Sequence, residues 1–237
     1  MLKYVYLAVY ALAVIALFFL VPKFLEYSWP EKCWKSLKVK MVCAAMFIVT
    51  AVCCILYSGN FGTYAKLMFI GLLCGVLGDL LIHVPEHGII NVLGGAAFFV
   101  GHIFYIIAFY LELSERASGA KFLALPSIIA PIAFTVCYFG FAFAKKVKYG
   151  KLTVPVILYA LMISSMLTMA ARLSVHIMQI PVFITVLLGA ALFVTSDSTL
   201  ALFMFAPKFK TKPVKNLYII TYFTAQVLLG TSILFVK

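Results

Sequence analysis

The sequence predicts an all-α integral membrane protein, one domain built as a bundle of eight transmembrane helices. Three observations carry that expectation. Of the 237 residues, 65% are hydrophobic and 11% charged. The mean hydropathy is +1.14. The apolar residues fall in repeated runs of about 20, the length needed to cross roughly 30 Å of hydrocarbon. Lipid cannot hydrogen-bond exposed backbone, so these runs are read as helices. They are too long and too uniformly apolar for barrel strands, which alternate between two faces.

Span one covers about residues 4–21. Lys3 before an apolar run also fits a signal peptide, but the run has no small-residue cleavage pattern and ends in Val21-Pro22-Lys23, so it is read as a span. Span two covers about 39–57, and Ser58-Gly59-Asn60 turns the chain into span three, about 64–82. His83 and His87 flank a short loop and are expected to be solvated. Span four is about 89–111. Span five is about 122–144, with Pro126 and Pro131 as candidate kinks. Span six, about 152–171, leads through a short connection at Arg172 to span seven, about 180–206. Span eight is about 216–236. The six cysteines form no C-x-x-C pair and read as small buried hydrophobes rather than a disulfide framework or zinc site.

The net charge of +12 reflects lysines crowded between spans. There they anchor helix ends and meet anionic headgroups, so nucleic acid is not an expected partner. The first, third, fifth and seventh loops carry 13 of the 19 Lys and Arg. The positive-inside rule makes that side cytoplasmic and both termini extracytoplasmic. A bacterial inner membrane and an endomembrane fit equally.

The chain has only two aspartates, and both lie inside apolar runs: Asp79 in span three and Asp197 in span seven. All five glutamates lie in polar gaps. A charged residue at the bilayer centre costs about 2.5–3.5 kcal/mol on insertion scales, so two retained aspartates point to use as a catalytic pair. Helical phase groups other polar residues with them. Gly71, Gly75 and Asp79 step by four, and the small residues let a neighbour come close. Asn91, Gly94, Phe98, His102 and Tyr105 share one face of span four. Gly189, Phe193, Asp197 and Ala201 do so in span seven, and Tyr222 and Gln226 in span eight. With Tyr159, these groups fall in the half of the membrane facing the lysine-rich loops. Each alone has a plainer reading as packing or interhelical hydrogen bonding. Asp79, His83 and Asp197 lack the specific ligand spacing that would argue for a metal.

At these residues the chain resembles the YhhN-like lysoplasmalogenase family of polytopic membrane proteins. The resemblance rests on Gly78-Asp79-Leu80-Leu81, on Gly94, Phe98, His102 and Tyr105, and on Tyr159. It rests further on Gly189, Phe193, Ser196, Asp197 and Ala201, and on Thr221-Tyr222-Phe223-Thr224-Ala225-Gln226. The motifs run in order from about residue 38 to 230. One departure is that the family tends to place a Lys closely before a Pro at the start of span two, whereas Lys38 and Lys40 stand here without a Pro.

The resemblance implies an eight-helix bundle that hydrolyses the vinyl ether of lysoplasmalogens to a fatty aldehyde and a glycerophospho-base. Its partners would be the lysophospholipid, water and membrane lipids, with no cofactor. Vinyl ether hydrolysis needs a protonated acid and an anion, and two carboxylates sharing one proton supply both. Either aspartate fits the acid. His102, Tyr159, Tyr222 and Gln226 are candidates to orient the pair or bind the lipid, with Tyr105, Ser196 and Asn91 beside them. Lys38 or Lys40 is expected to meet the phosphate. Two other classes use paired or relayed membrane aspartates. An intramembrane aspartyl protease would have Gly-x-Gly-Asp, where Val76-Leu77-Gly78-Asp79 stands here without the first glycine, and Tyr-Asp, where Ser196-Asp197 stands. A proton-coupled transporter or lipid-binding protein would be marked by corresponding broken helices in two halves, and no internal repeat is visible.

Overall fold

Eight long helices follow from the eight apolar runs, and in the computed structural model, which describes residues 2–85, 88–117, 119 and 121–236, they close into a bundle. His87 lies outside the described residues. Helix α1 spans Leu2–Tyr27. It continues through Pro22 because Phe24 and Leu25, beyond the proline, pack into the core. Helix α2 spans Trp34–Ser58. Cys33 and Ser36 cap its start reciprocally, and Gly59, at φ 66°, ends it in the left-handed conformation that glycine adopts without a Cβ penalty. Helices α3 and α4 span Thr63–His83 and Gly88–Arg116. Helix α5 spans Leu125–Ala144. Pro126 stands in its first turn, where a missing N–H costs nothing, so it starts the helix rather than kinking it.

Helix α6 spans Thr153–Ile177 and does not stop at Arg172 as expected. Arg172 extends sideways instead, donating to Ser127 Oγ at 2.6 Å and the Lys121 carbonyl at 3.0 Å, and so ties α6 to the start of α5. The turn comes at Met178, whose φ is 52°. Helix α7 covers Ile180–Phe205 and contains a π-helical stretch at Phe183–Leu188. That wider turn rotates the face of everything after it, including Asp197. Helix α8 spans Lys212–Thr231.

The packing partners define two layers. Helices α2, α3, α4, α6, α7 and α8 contact one another in that order, and α8 returns to α2, making an inner ring. Helix α1 packs outside against α2 and α8, and α5 outside against α6. Helices that are apolar all round turn one face to lipid, which accounts for exposed side chains such as Phe18, Leu77 and Phe143. Without a hydrophobic drive between helices in lipid, close backbone approach holds the ring. A Cβ on Gly94 would lie 2.5 Å from the Ile82 backbone nitrogen, so glycine there sets how tightly α3 and α4 pair. Cys43, Cys53 and Cys54 are buried as expected, but Cys33 and Cys137 are exposed. Cys33 precedes the apolar stretch of α2 and serves as its cap, and Cys137 lies on the outer helix α5.

Candidate functional site

Every helix of the inner ring contributes a polar side chain to its middle. Asp79 of α3 is 1% exposed. Its Oδ1 meets Lys40 Nζ of α2 at 2.9 Å, and Lys40 is itself only 5% exposed. Its Oδ2 accepts from the Tyr222 hydroxyl of α8 at 2.8 Å. Gln226, one turn on, donates to that hydroxyl at 2.9 Å, and Tyr105 of α4 donates to Gln226 Oε1 at 3.1 Å. The chain Lys40–Asp79–Tyr222–Gln226–Tyr105 therefore links four helices.

Asp197 of α7 has a different set of partners. Its Oδ2 accepts from the Tyr159 hydroxyl of α6 at 2.5 Å. His102 Nε2 of α4 stands 3.9 Å from the same oxygen. His102 Nδ1 donates to the Phe98 carbonyl at 2.6 Å, since a carbonyl can only accept. In the neutral ring Nε2 then carries a lone pair, and among the described residues it has no hydrogen-bond partner. Aromatic rings join the two halves. Phe193 lies 4.7 Å from His102 and 5.6 Å from Tyr222, and Phe98 packs against both Phe193 and Tyr222. Asp79 and Lys40 both lie within electrostatic range of Asp197.

Glycines make the room. A Cβ at Gly75 would sit 2.4 Å from Gln226 Nε2, and one at Gly71 would strike the Tyr105 ring at 2.4 Å. The glycine steps of α3 thus seat the polar side chains of α4 and α8.

The remaining candidates fall elsewhere. Asn91, in the amide orientation that satisfies its neighbours, donates to the Leu81 and Ile82 carbonyls at 3.0 and 2.9 Å and caps the end of α3. Ser196 Oγ donates to the Tyr218 carbonyl at 2.8 Å, fixing the register of α7 on α8 one turn from Tyr222. Lys38 is exposed at the surface, whereas Lys40 is the partner of Asp79. His83 is not solvated. It is buried, bonded through Nε2 to Ser36 Oγ at 2.9 Å and packed on Phe24 at 5.1 Å. Its place at the end of α3, facing the start of α2, draws it inward.

Sequence reasoning passed over Lys215. It is 4% exposed, and its Nζ donates to the Ser28 carbonyl. The signal was present, because Lys215, Ile219, Tyr222 and Gln226 recur at helical spacing and share one buried face.

Apart from Lys40, the polar groups of the ring are residues that carried the family resemblance, and the YhhN family's sequence profile matches residues 36–233. The chain belongs to the YhhN family. The match takes in all but the first two residues of α2, runs through the whole of α8, and leaves α1 outside it. No curated protein and no solved structure matches the chain.

Proposed function

We propose that this YhhN-family protein is a lysoplasmalogenase, in which Asp197 is the acid and Asp79 the stabilising anion. The observation that supports this division is the difference in partners. Asp79 faces an ammonium at 2.9 Å, which suits a standing carboxylate. Asp197 faces a phenol and an imidazole, both uncharged groups in their ordinary neutral forms, which suits a carboxyl that holds and releases a proton.

In this reading Asp197 delivers its proton to the outer carbon of the vinyl ether. The positive charge spreads over the neighbouring carbon and the ether oxygen, close to the Asp79 anion. Paired carboxylates serve an oxocarbenium-like state in glycosidases by the same logic. Water adds to the charged carbon. Its proton passes to Asp197, or to the free lone pair of His102 Nε2. The hemiacetal then breaks its bond to the glycerol oxygen, which takes a proton, and yields the aldehyde. One water is consumed and no electrons change hands, so the chemistry asks for no redox partner. The lysine-rich loops would face the cytoplasm by the positive-inside rule, placing the polar products on that side.

The test is aldehyde release from a lysoplasmalogen by purified protein, compared with Asp79→Asn and Asp197→Asn variants of unchanged elution profile. Release by the wild type and by neither variant is expected. Release that persists in a well-folded Asp197→Asn would remove the proposed acid. Uptake of the lipid by wild-type vesicles without any aldehyde would favour transport instead.

A further inference from the structure

The inner ring is sealed on one side of its lysine-rich end and parted on the other. On α2, α3 and α8 the buried face runs to that end, through Ser36 and Lys40, Asp79 and His83, and Lys215 and Ile219. On α4, α6 and α7 it stops short. The first buried residue of α4 is Gly94 and that of α6 is Ala160. On α7 no residue from Asp197 to Phe205 is buried. The helices that carry His102, Tyr159 and Asp197 are therefore the ones that part toward the lysine-rich loops.

Exposure on an outer face means lipid, but the parted face of α7 is an inner one. At about 100° per residue, Ala201 and Met204 lie within about 40° of Asp197 around the helix. Asp197 points at Tyr159 and His102, so this face is turned into the ring. Both of its flanks are covered. Phe203 packs on Tyr218 of α8 at 5.4 Å, and Phe205 on Tyr149, just before α6, at 5.0 Å. Along the face, exposure rises toward the loops. Phe193 is 1% exposed and the Asp197 side chain 9%. Met204, about 10 Å further along the axis, is 49% exposed. Opposite, on α6, Pro155 stands one turn before Tyr159 and is exposed as well. Asp79 has no such outlet. It is 1% exposed, and the chain of contacts from it to His102 runs through the rings of Tyr222 and Phe193.

We propose that the gap between α4, α6 and α7 is a water-filled passage from the lysine-rich end, that it ends at Asp197 and not at Asp79, and that Ala201 sets its width. A polar group crosses hydrocarbon only at high cost, so a carboxyl that exchanges protons with water needs such an opening, whereas a carboxylate paired with Lys40 does not. Ala201 lies one turn from Asp197 on the passage wall, where a large side chain would close the way. The passage itself does not depend on the reaction; its use by water and by the polar end of a substrate rests on the hydrolase reading.

The experiment places single cysteines along α7 in the full-length protein and follows their reaction with a charged methanethiosulfonate. The protein sits in phosphatidylcholine vesicles opened to the reagent on both sides, and each site is read by peptide mass spectrometry. Native cysteines serve as standards, Cys33 being exposed at the lysine-rich end and Cys43 buried. Ala201→Cys and Asp197→Cys should react at rates comparable to Cys33. Leu202→Cys is at the depth of Ala201 but about 140° from Asp197, on the side turned from the ring. It should react about a hundredfold more slowly, because a thiol in apolar surroundings stays protonated. Asp79→Cys should stay as inert as Cys43. Adding Ala201→Trp should protect Asp197→Cys, and alone it should lower kcat/KM for aldehyde release about tenfold or more with an unchanged elution profile. Ala201→Cys reacting no faster than Leu202→Cys would overturn the passage, and it needs no variant of a site residue. Asp79→Cys reacting as fast as Asp197→Cys would overturn its one-sidedness, and undiminished labelling behind Ala201→Trp would overturn the role of Ala201. The expected labelling pattern in a protein that releases no aldehyde would leave the passage standing and the hydrolase reading fallen.

Discussion

Replacing Lys40 by Met removes the cation from a buried pair and leaves the Asp79 carboxylate with the Tyr222 hydroxyl alone. At 2.9 Å and an effective dielectric of about 20, the lost attraction is roughly 6 kcal/mol before solvation is counted. Breaking a buried pair from one side costs about 3–5 kcal/mol, because the remaining charge is stranded. Asp79→Asn strands the ammonium instead, although Lys40 keeps its distant contact with the Phe24 ring at 5.9 Å. The double variant Lys40→Met/Asp79→Asn strands neither. It should therefore be more stable than the sum of the two single changes by about 2 kcal/mol or more. The assay is reversible unfolding in mixed micelles, read by tryptophan fluorescence and arranged as a double-mutant cycle. If the double variant is additive within ~0.5 kcal/mol, Lys40 and Asp79 are not a functional ion pair, and the assignment of Asp79 as a standing anion loses its basis.

Two further outcomes follow from other distances. Gly75→Ala should push Gln226 off Tyr222, since the new methyl would start 2.4 Å from Gln226 Nε2; a displacement near 1 Å at the site should lower aldehyde release by about 10²-fold, with helix content by circular dichroism unchanged. Tyr159→Phe removes the 2.5 Å bond to Asp197 and should slow release about tenfold, equivalent to ~1.4 kcal/mol, with the elution profile unchanged.

The two lysines at the start of α2 mark where sequence reading stops. The eight helices were legible because each needs only length and apolarity, both of which are local. The faces of α3, α4, α7 and α8 were legible because small, aromatic and polar residues repeat at helical spacing on each. Which partner each polar group takes was not legible, since that depends on how six helices close into a ring. Asn91 and Ser196 share faces with residues that line the ring, yet each finds a backbone carbonyl of the next helix before it reaches the centre. Lys38 and Lys40 show both sides of this limit. Two residues apart on a helix, they point about 200° from one another, so one must face in if the other faces out. Phase decides which. Lys40 leads the series Ala44, Phe47, Ala51 and Cys54, all buried against the ring, while Lys38 is in step with the exposed Val42. The sequence therefore contained the statement that Lys40 goes inward, but not that Asp79 would be waiting for it. That second fact comes from the ring, in which α2 and α3 lie side by side and, among the described residues, Asp79 alone comes within ion-pair distance of the lysine.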